Sequence, residues 1–297
     1  MAYILTLVTP KPYLNNVILG RLSKTLRACK SVWLSAGQAL DIYLPPFTPI
    51  HQARALRLEC KDRLSHTKTD IFLTLDTCRQ KKLLVADMDN TIVHGETLDE
   101  LAKKTDVGPQ IAEITNRAMN GELDFRQALK ERVALLKDLS TDFLDKTWEN
   151  IALNQGAKTL IATMKKHHAY CILLSGGFSF FTQKVAAYCG FNEHHANHLC
   201  IYNDKLTGKV KEPILDNQTK LKILNEKIIS LNLRISETIA VGDGANDIPM
   251  LKRASIGVGY YPKPIVKNEM DNIIEHTNLT SLLFLQGYRA QQIVDVG

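Results

Sequence analysis

The sequence lacks long runs of basic residues. Lysine and arginine total 37 against 31 acidic residues, which leaves a net charge of +6, and no tract of lysine or arginine exceeds two residues. Nucleic-acid-binding domains concentrate their basic residues in patches or stripes. We therefore expect no nucleic-acid partner, although the small positive excess helps to attract an anionic small molecule.

Cysteine and long apolar runs are also scarce. The six cysteines include no CxxC pair and several stand in apolar runs, which predicts free, buried thiols in a reducing compartment. No apolar stretch approaches the ~20 residues that a membrane span needs. The first short apolar run lacks a basic leader and is interrupted by Pro10 and Pro12, unlike a signal peptide. We expect a cytoplasmic protein with no membrane segment.

Residues 1–78 have the pattern of a small α+β unit. Strand-like segments such as "AYILTLVT", "SVWLSAGQALDIYLP" (two strands around a turn) and "TDIFLTL" alternate with two helical stretches. The resulting order, βαββαβ, predicts a ferredoxin-like layer of two helices on an antiparallel sheet.

The pattern changes after residue 78, and residues 79–297 are predicted to form an α/β domain. The apolar runs "KKLLVAD", "AYCILLS" and "TIAVGD" are each followed by helical sequence. Such runs are typical of a doubly wound, Rossmann-type parallel sheet with helices on both faces. The segment at about 97–154 looks helical throughout, and we interpret it as a helical cap inserted over the strand ends.

Acids and glycines follow these three predicted strands. Asp87 and Asp89 come at alternate positions after the first strand, so a straight strand would direct both to one side. Ser175 and two glycines end the second strand, where the next helix favours an anion, and Asp243 and Asp247 follow the third. Because ligands bind beyond the carboxyl ends of parallel strands, these acids suit a hard cation such as Mg²⁺, or nucleophilic and acid–base catalysis.

Taken together, the three motifs resemble those of the haloacid dehalogenase superfamily, in which an aspartate is transiently phosphorylated. "DMDNT" matches the first motif, "LLSGG" the second and "GDGAND" the third. The sequence is closer still to the phosphoserine phosphatase family, from residue 81 to about 265. The N-terminal unit is similar to the ACT-like domain that some members of that family carry. The resemblance implies a haloacid-dehalogenase-like core with a cap.

The resemblance also implies a role for each motif residue. Asp87 is the nucleophile, and Asp89 protonates the departing serine oxygen and then activates water. The implied ligands of Mg²⁺ are Asp87, Asp89 (through its backbone carbonyl), Asp243 and Asp247. The residues implied to hold the phosphate are Ser175, Gly176, Lys220 and Asn246. A carboxylate that attacks a phosphate ester needs such cations, since two anions repel each other.

Glu96 and Arg132 bear on the choice of substrate. Phosphoserine carries an ammonium and a carboxylate beside its phosphate, and the family pairs these with a glutamate and an arginine at the matching positions. Met119 and Phe125 match residues that line the pocket. Other interpretations stay open: Arg132 as a surface charge of a helix, and Met119 and Phe125 as packing within the cap.

The hypothesis that follows is Mg²⁺-dependent hydrolysis of O-phosphoserine to serine and inorganic phosphate, the last step of serine biosynthesis. A second hypothesis keeps the chemistry but changes the substrate to another small phosphomonoester, or the acceptor from water to another group. A third makes the chain a serine sensor through its N-terminal unit, since ACT-like domains often bind amino acids at dimer interfaces. A homodimer is therefore also expected under that hypothesis.

Two further stretches attract attention. "NEHHANHLC" places three histidines and Cys200 close together, as a zinc site does, but we interpret it as a loop with solvated histidines. The overlapping "HLCIYNDKLTGKV" predicts a β-hairpin that turns at Asn203 and Asp204.

Overall fold

Two β-sheets of different kinds organise the chain. The computed structural model describes residues 1–26, 28–103, 105–119 and 122–296. A four-stranded antiparallel sheet occupies the N-terminal region, and a six-stranded parallel sheet with a separate hairpin follows it. The predicted α/β fold with an N-terminal α+β unit is confirmed. Within the described residues, no helix is both long and apolar enough to cross a bilayer.

The N-terminal sheet has the strand order β2-β3-β1-β4, and each neighbouring pair is antiparallel. Its elements are β1 (Tyr3–Val8), α1 (Asn16–Thr25), β2 (Lys30–Ser35), β3 (Ala39–Tyr43), α2 (Ile50–Arg63) and β4 (Asp70–Leu75). Leu5 of β1 and Ile42 of β3 share one apolar core with Leu22 of α1 and Cys60 of α2, so both helices cover the same face. This is the predicted ferredoxin-like topology.

Among the described residues of the segment predicted as the cap, at about 97–154, four helices are present. They are α3 (Thr97–Ala102), α4 (Gly108–Met119), α5 (Phe125–Leu135) and α6 (Asp142–Trp148), and β5 (Leu83–Asp87) precedes them. Asp124 begins α5 as its N-cap, because its carboxylate accepts a hydrogen bond from the backbone N–H of Gln127 at 2.9 Å. This cap fixes the start of the helix that carries Phe125 and Arg132.

The parallel sheet has the order β12-β11-β10-β5-β6-β7. The remaining elements are α7 (Ala157–Lys166), β6 (Tyr170–Phe178), α8 (Ser179–Cys189), β7 (Glu193–Asn197), β8 (Leu199–Tyr202), β9 (Lys205–Val210), α9 (Asn217–Ser230), β10 (Thr238–Gly242), α10 (Ile248–Arg253), β11 (Ile256–Tyr260), α11 (Pro264–Glu269), β12 (Asn272–Ile274) and α12 (Ser281–Leu285). Leu84 of β5 and Leu160 of α7 belong to one apolar cluster, and Val85 of β5 and Leu224 of α9 belong to another. Helices therefore cover both faces, as alternating side chains of a buried strand require.

Two local predictions need correction. The segment predicted as a histidine-rich loop is the edge strand β7, which pairs in parallel with β6. An edge strand is solvated on one side, so its polar residues hid it from a search for apolar runs. The second strand does not end at Ser175 either: β6 continues to Phe178, and α8 begins at Ser179. The hairpin prediction is confirmed, with β8 and β9 joined at Asn203 and Asp204, both at positive φ.

The two sheets are joined through side chains that bond to backbone. Asn272 of β12 accepts a hydrogen bond from the N–H of Leu73 at 2.7 Å and donates to its carbonyl at 3.3 Å, so its amide imitates one step of strand pairing. The buried Asp70 carboxylate accepts hydrogen bonds from the N–H groups of Glu275, His276 and Thr277. These bonds satisfy backbone groups that would otherwise lie unpaired between the sheets.

Candidate active site

The acids of the first and third motifs meet at one edge of the parallel sheet. Asp87 is the last residue of β5, and Asp243 directly follows β10, the strand beside β5. Carboxylate oxygens of Asp87, Asp243 and Asp247 all lie within 4.8 Å of one another, and all three residues are buried. The sheet thus concentrates negative charge at the position where the sequence predicts a metal site.

Lys220 offsets part of this charge. Its side chain is only 1% exposed, and its ammonium donates to Asp87 Oδ1 and, at 2.7 Å, to Asp247 Oδ1. Burial by itself lowers the pKa of Lys220, but Asp247 and Asp87 raise it above the ordinary value, so the lysine stays protonated. A Cβ on Gly242 would overlap the Asp247 carboxylate, which is why only glycine fits there.

Asp89 lies beside this cluster but is bonded differently. Its Oδ1 accepts a hydrogen bond from the N–H of Thr97 at 2.8 Å, and its Oδ2 accepts one from Ser175 Oγ at 2.9 Å. The N–H of Gly177 donates in turn to Ser175 Oγ at 2.8 Å. Burial raises the pKa of Asp89, and these hydrogen bonds oppose the rise. A carboxyl with a raised pKa takes up a proton more readily, which suits it to acid–base catalysis.

Glu96 and Arg132 lie on the walls of the same pocket. Glu96 Oε1 accepts a hydrogen bond from the side-chain amide of Asn90 at 2.7 Å and lies 3.8 Å from the Lys263 ammonium. Burial, followed by the negative charge of Asp89, raises the pKa of Glu96 to about 7. Arg132 is half-buried, and burial lowers its pKa. Its guanidinium donates to the carbonyl of Ala128 at 3.2 Å, which leaves further donors available to a ligand.

The pocket itself is a cavity of about 80 Å³ between the cap and the sheet. Phe125 of the cap closes against the core, since a Cβ on Gly176 would lie 2.9 Å from the Phe125 ring. The predicted residues that line it are Asp87, Asp89, Glu96, Phe125, Arg132, Gly176, Asp243 and Asn246. Ser175 donates a hydrogen bond to Asp89, and Lys220 donates one to Asp87. Asp247 is held next to them by its ion pair with Lys220. Met119 ends α4, but its side chain lies outside the part of the chain that the structure describes.

Sequence reasoning missed several residues of the pocket. Thr97 contributes a backbone N–H, which leaves no trace in residue type. Asn197 of β7 donates from its amide to the carbonyl of Gly176 at 2.8 Å, and it was hidden because the strand was interpreted as a loop. Lys263 follows β11, a strand that was not predicted, and its position after that strand was the available signal.

The donor set fits a hard divalent cation. The three clustered carboxylates offer oxygen ligands, the class that Mg²⁺ and Ca²⁺ prefer. Asp243 has the Lys263 ammonium as its ion-pair partner, but at 3.7 Å the two do not form a hydrogen bond. Burial first, and then neighbouring carboxylates, raise the pKa of Asp87, and burial raises that of Asp243 to about 6. Burial therefore disfavours the charged forms of both carboxylates, and a bound cation would favour them.

The histidine-rich segment forms no comparable group among the residues that the structure describes. His194 Nδ1 is hydrogen-bonded to Thr182 Oγ1 at 3.0 Å, and His195 Nε2 lies 2.6 Å from Glu193 Oε1. These contacts account for the two histidines without a metal ion.

The part of the chain that forms this site is similar in sequence to a known protein family. A family model described as haloacid dehalogenase-like hydrolase matches residues 81–255. The chain belongs to the haloacid dehalogenase-like hydrolases. The match covers four of the six strands of the parallel sheet, namely β5, β6, β7 and β10. It also includes the three clustered acids, Asp87, Asp243 and Asp247.

Named relatives of this hydrolase are similar over the same region. Phosphoserine phosphatase of Archaeoglobus fulgidus is 40% identical over 204 residues, which are 69% of this chain and 59% of that protein. Phosphoserine phosphatase of Streptococcus thermophilus is 44% identical over 187 residues, which are 63% of this chain and 87% of that protein. A solved haloacid dehalogenase family hydrolase of Salmonella enterica superposes with a TM-score of 0.85 at 27% identity, covering 96% of this chain and 98% of its own. That likeness includes the N-terminal sheet.

Proposed function

We propose that this hydrolase cleaves O-phosphoserine to serine and inorganic phosphate, with Mg²⁺ as its cofactor and Asp87 as its nucleophile. The observation that carries the proposal is the small pocket in which Glu96 and Arg132 share walls with Asp87 and Asp243. A carboxylate and a guanidinium on either side of a phosphoryl-transfer site match the ammonium and carboxylate of an amino-acid phosphate ester. The names of the two relatives support the same substrate.

In the first step, the carboxylate of Asp87 attacks phosphorus and forms a phospho-aspartyl group. Lys220 holds Asp87 Oδ1, so Oδ2 is the oxygen that we assign to the attack. The bond from phosphorus to the serine oxygen breaks as Asp89 gives its proton to that oxygen. The raised pKa of Asp89, which burial causes, supports this role because it favours the protonated form of the carboxyl.

In the second step, water attacks the same phosphorus. Asp89, now ionised, takes a proton from the water, and the bond from phosphorus to Asp87 breaks to release phosphate. Ser175 and Thr97 hold both oxygens of Asp89 in place for this second proton transfer. We assign Ser175, Gly176, Lys220 and Asn246 to binding the phosphoryl oxygens.

Asp87, Asp243 and the backbone carbonyl of Asp89 would hold the metal ion, with Asp247 in support. A bound Mg²⁺ offsets the negative charge of the phosphate and of its carboxylate ligands, which lowers the barrier to the approach of two anions. The protein contributes part of the charge balance through Lys220, whose ion pairs orient Asp87 and oppose the rise in its pKa.

We also propose the division of the chain into residues 1–78, a catalytic part at 79–297 and a cap at about 97–154. The helices of the cap and the two separate sheets support these boundaries. An ACT-like sensing role for residues 1–78 and a homodimer remain proposals that rest on topology. All six cysteines are free, which supports a reducing, cytoplasmic compartment.

The proposal is tested by phosphate release from a panel of esters with and without Mg²⁺. Phosphoserine should exceed phosphoethanolamine, which lacks the carboxylate, and 3-phosphooxypropanoate, which lacks the ammonium, by about tenfold or more in kcat/KM. Asp87→Asn should abolish turnover of every ester. A panel in which sugar phosphates rank above phosphoserine would instead support a different phosphomonoester substrate.

A further inference from the structure

Lys263 lies between the two parts of the pocket that are assigned to different ligands. Its ammonium is 3.8 Å from Glu96 Oε1 and 3.7 Å from Asp243 Oδ2. Its backbone N–H donates to the carbonyl of Asp243 at 2.9 Å, which anchors the residue to the loop that carries this acid. The side chain is 43% exposed, so it is free to move at its outer end.

Neither contact of this ammonium is a hydrogen bond, since both exceed ~3.5 Å. Lys220, by contrast, donates directly to its two carboxylates. A cation held at a distance from two carboxylates offsets the charge of both without occupying a ligand position tightly. Such a loosely held ammonium is easily displaced when another cation binds near the same carboxylates.

A second cavity offers the Lys263 ammonium an alternative position outside the catalytic pocket. This cavity, of about 640 Å³, shares Asp243 and Lys263 with the catalytic pocket. Most of its other lining residues are polar or aromatic, and they include His94, Asn154 and Tyr261. The ammonium of Lys263 can therefore leave the catalytic pocket and remain solvated.

We propose that Lys263 is an internal counter-cation that competes with the metal ion at Asp243 and with the substrate ammonium at Glu96. The part of this inference that concerns the substrate ammonium rests on the proposed function. In the ligand-free site, Lys263 offsets part of the negative charge of Glu96 and Asp243. When the metal ion and the amino-acid ester bring their own positive charges, like-charge repulsion drives Lys263 outward. Lys263 is thus a positioning residue that weakens the binding of both ligands and limits the preference for an ammonium-bearing substrate.

The test uses the full-length protein with Lys263→Gln, Lys263→Arg and a matched control, Lys267→Gln. Lys263 is the N-cap of α11, and Lys267 lies in the last turn of that helix, where it pairs with Glu275 away from the pocket. Its replacement therefore removes the same charge from a neighbouring position. Calorimetric titration with Mg²⁺ alone measures metal binding without turnover. Steady-state kinetics at saturating Mg²⁺ then separates KM from kcat for phosphoserine and for 3-phosphooxypropanoate.

Lys263→Gln is expected to lower the Kd for Mg²⁺ and the KM for phosphoserine by about threefold to tenfold each, the size expected for one half-exposed charge. The kcat should stay within about twofold, because the step at phosphorus is not touched. The KM for 3-phosphooxypropanoate should rise, since Glu96 then has no cation. Lys263→Arg should resemble the natural protein, and Lys267→Gln should change none of these values.

The opposite results would overturn the inference. A higher KM for phosphoserine, or a kcat lowered more than about tenfold, would mean that Lys263 binds the phosphoryl group itself. Unchanged Mg²⁺ affinity and KM would mean that Lys263 carries no competing charge, while the proposed function would stand. If the natural protein does not hydrolyse phosphoserine, the proposed function fails, and Mg²⁺ titration of Lys263→Gln still decides the metal half of the inference.

Discussion

Lys220 shows how much the candidate site depends on a single residue. The side chain is fully buried between the Asp87 and Asp247 carboxylates, and its ion pairs keep a charged lysine inside the protein. A buried charge of this kind is stable only while its partners are present, because the loss of either partner leaves an uncompensated charge. The same residue therefore affects both stability and chemistry.

Lys220→Met should lower kcat/KM for phosphoserine by about 10²-fold to 10³-fold, the usual effect of removing one preorganised transition-state contact. It should also lower the melting temperature, since two buried carboxylates lose their cation. Lys222→Met is the matched control, because Lys222 lies on the same helix but its side chain is 72% exposed. A Lys220→Met protein with more than a tenth of the natural kcat/KM would contradict the assigned role.

At the scale of elements, the capped N-termini of helices orient the functional side chains. Asp216 is the N-cap of α9 and accepts a hydrogen bond from the N–H of Thr219 at 2.9 Å, so Lys220 enters the site from the first turn of a fixed helix. Asp216 also forms an ion pair of 2.6 Å with Arg126 of the cap helix α5. One aspartate thus orients the lysine and links the cap to the core.

Asp216→Ala should lower the free energy of unfolding by about 1 kcal/mol through loss of the cap, and should reduce kcat because Lys220 is less well positioned. Asp216→Asn keeps the capping acceptor but loses the ion pair with Arg126. Because the Arg126 side chain is 54% exposed, this ion pair contributes little to the free energy of unfolding. Urea unfolding and steady-state kinetics of both variants measure the difference. Equal losses in the two variants would show that the ion pair, rather than the cap, holds the helix.

At the scale of the whole molecule, the N-terminal sheet is fastened to the segment that borders the second cavity. Asp70 receives three backbone hydrogen bonds from residues 275–277 and a fourth, at 2.6 Å, from Thr277 Oγ1. The Tyr261 hydroxyl donates to the carbonyl of Thr277 at 2.9 Å. A chain of bonds therefore runs from the N-terminal sheet to the loop before Lys263.

Asp70→Ala should lower the free energy of unfolding by about 2 to 4 kcal/mol, since it leaves one buried and two partly buried N–H groups without an acceptor. Asp76→Ala is the control, because Asp76 is exposed and follows the end of the same strand. Urea unfolding with fluorescence detection measures both variants. An Asp70→Ala protein as stable as the control would show that the two sheets associate without this contact.

Much of the fold could be predicted because periodicity is a local property. The apolar run before Asp87 and the βαββαβ order of residues 1–78 depend on side-chain alternation that is visible in the sequence. The edge strand β7 was missed since a strand with one solvated side needs no apolar run, and β6 was ended too early because Gly176 and Gly177 suggested a turn. Those glycines are instead extended, and at Gly176 the Phe125 ring packs where a Cβ would be.

The sequence by itself determined the chemistry that is available: carboxylates after apolar strands, a glycine-rich second motif and a lysine early in α9. Residue types and strand order are enough for this, because parallel strands deliver their carboxyl ends to one edge. Only the tertiary structure decided which charges face each other. That Lys220 lies between Asp87 and Asp247, and Lys263 between Glu96 and Asp243, depends on distances between residues far apart in the chain, and electrostatic energy depends on those distances and on burial.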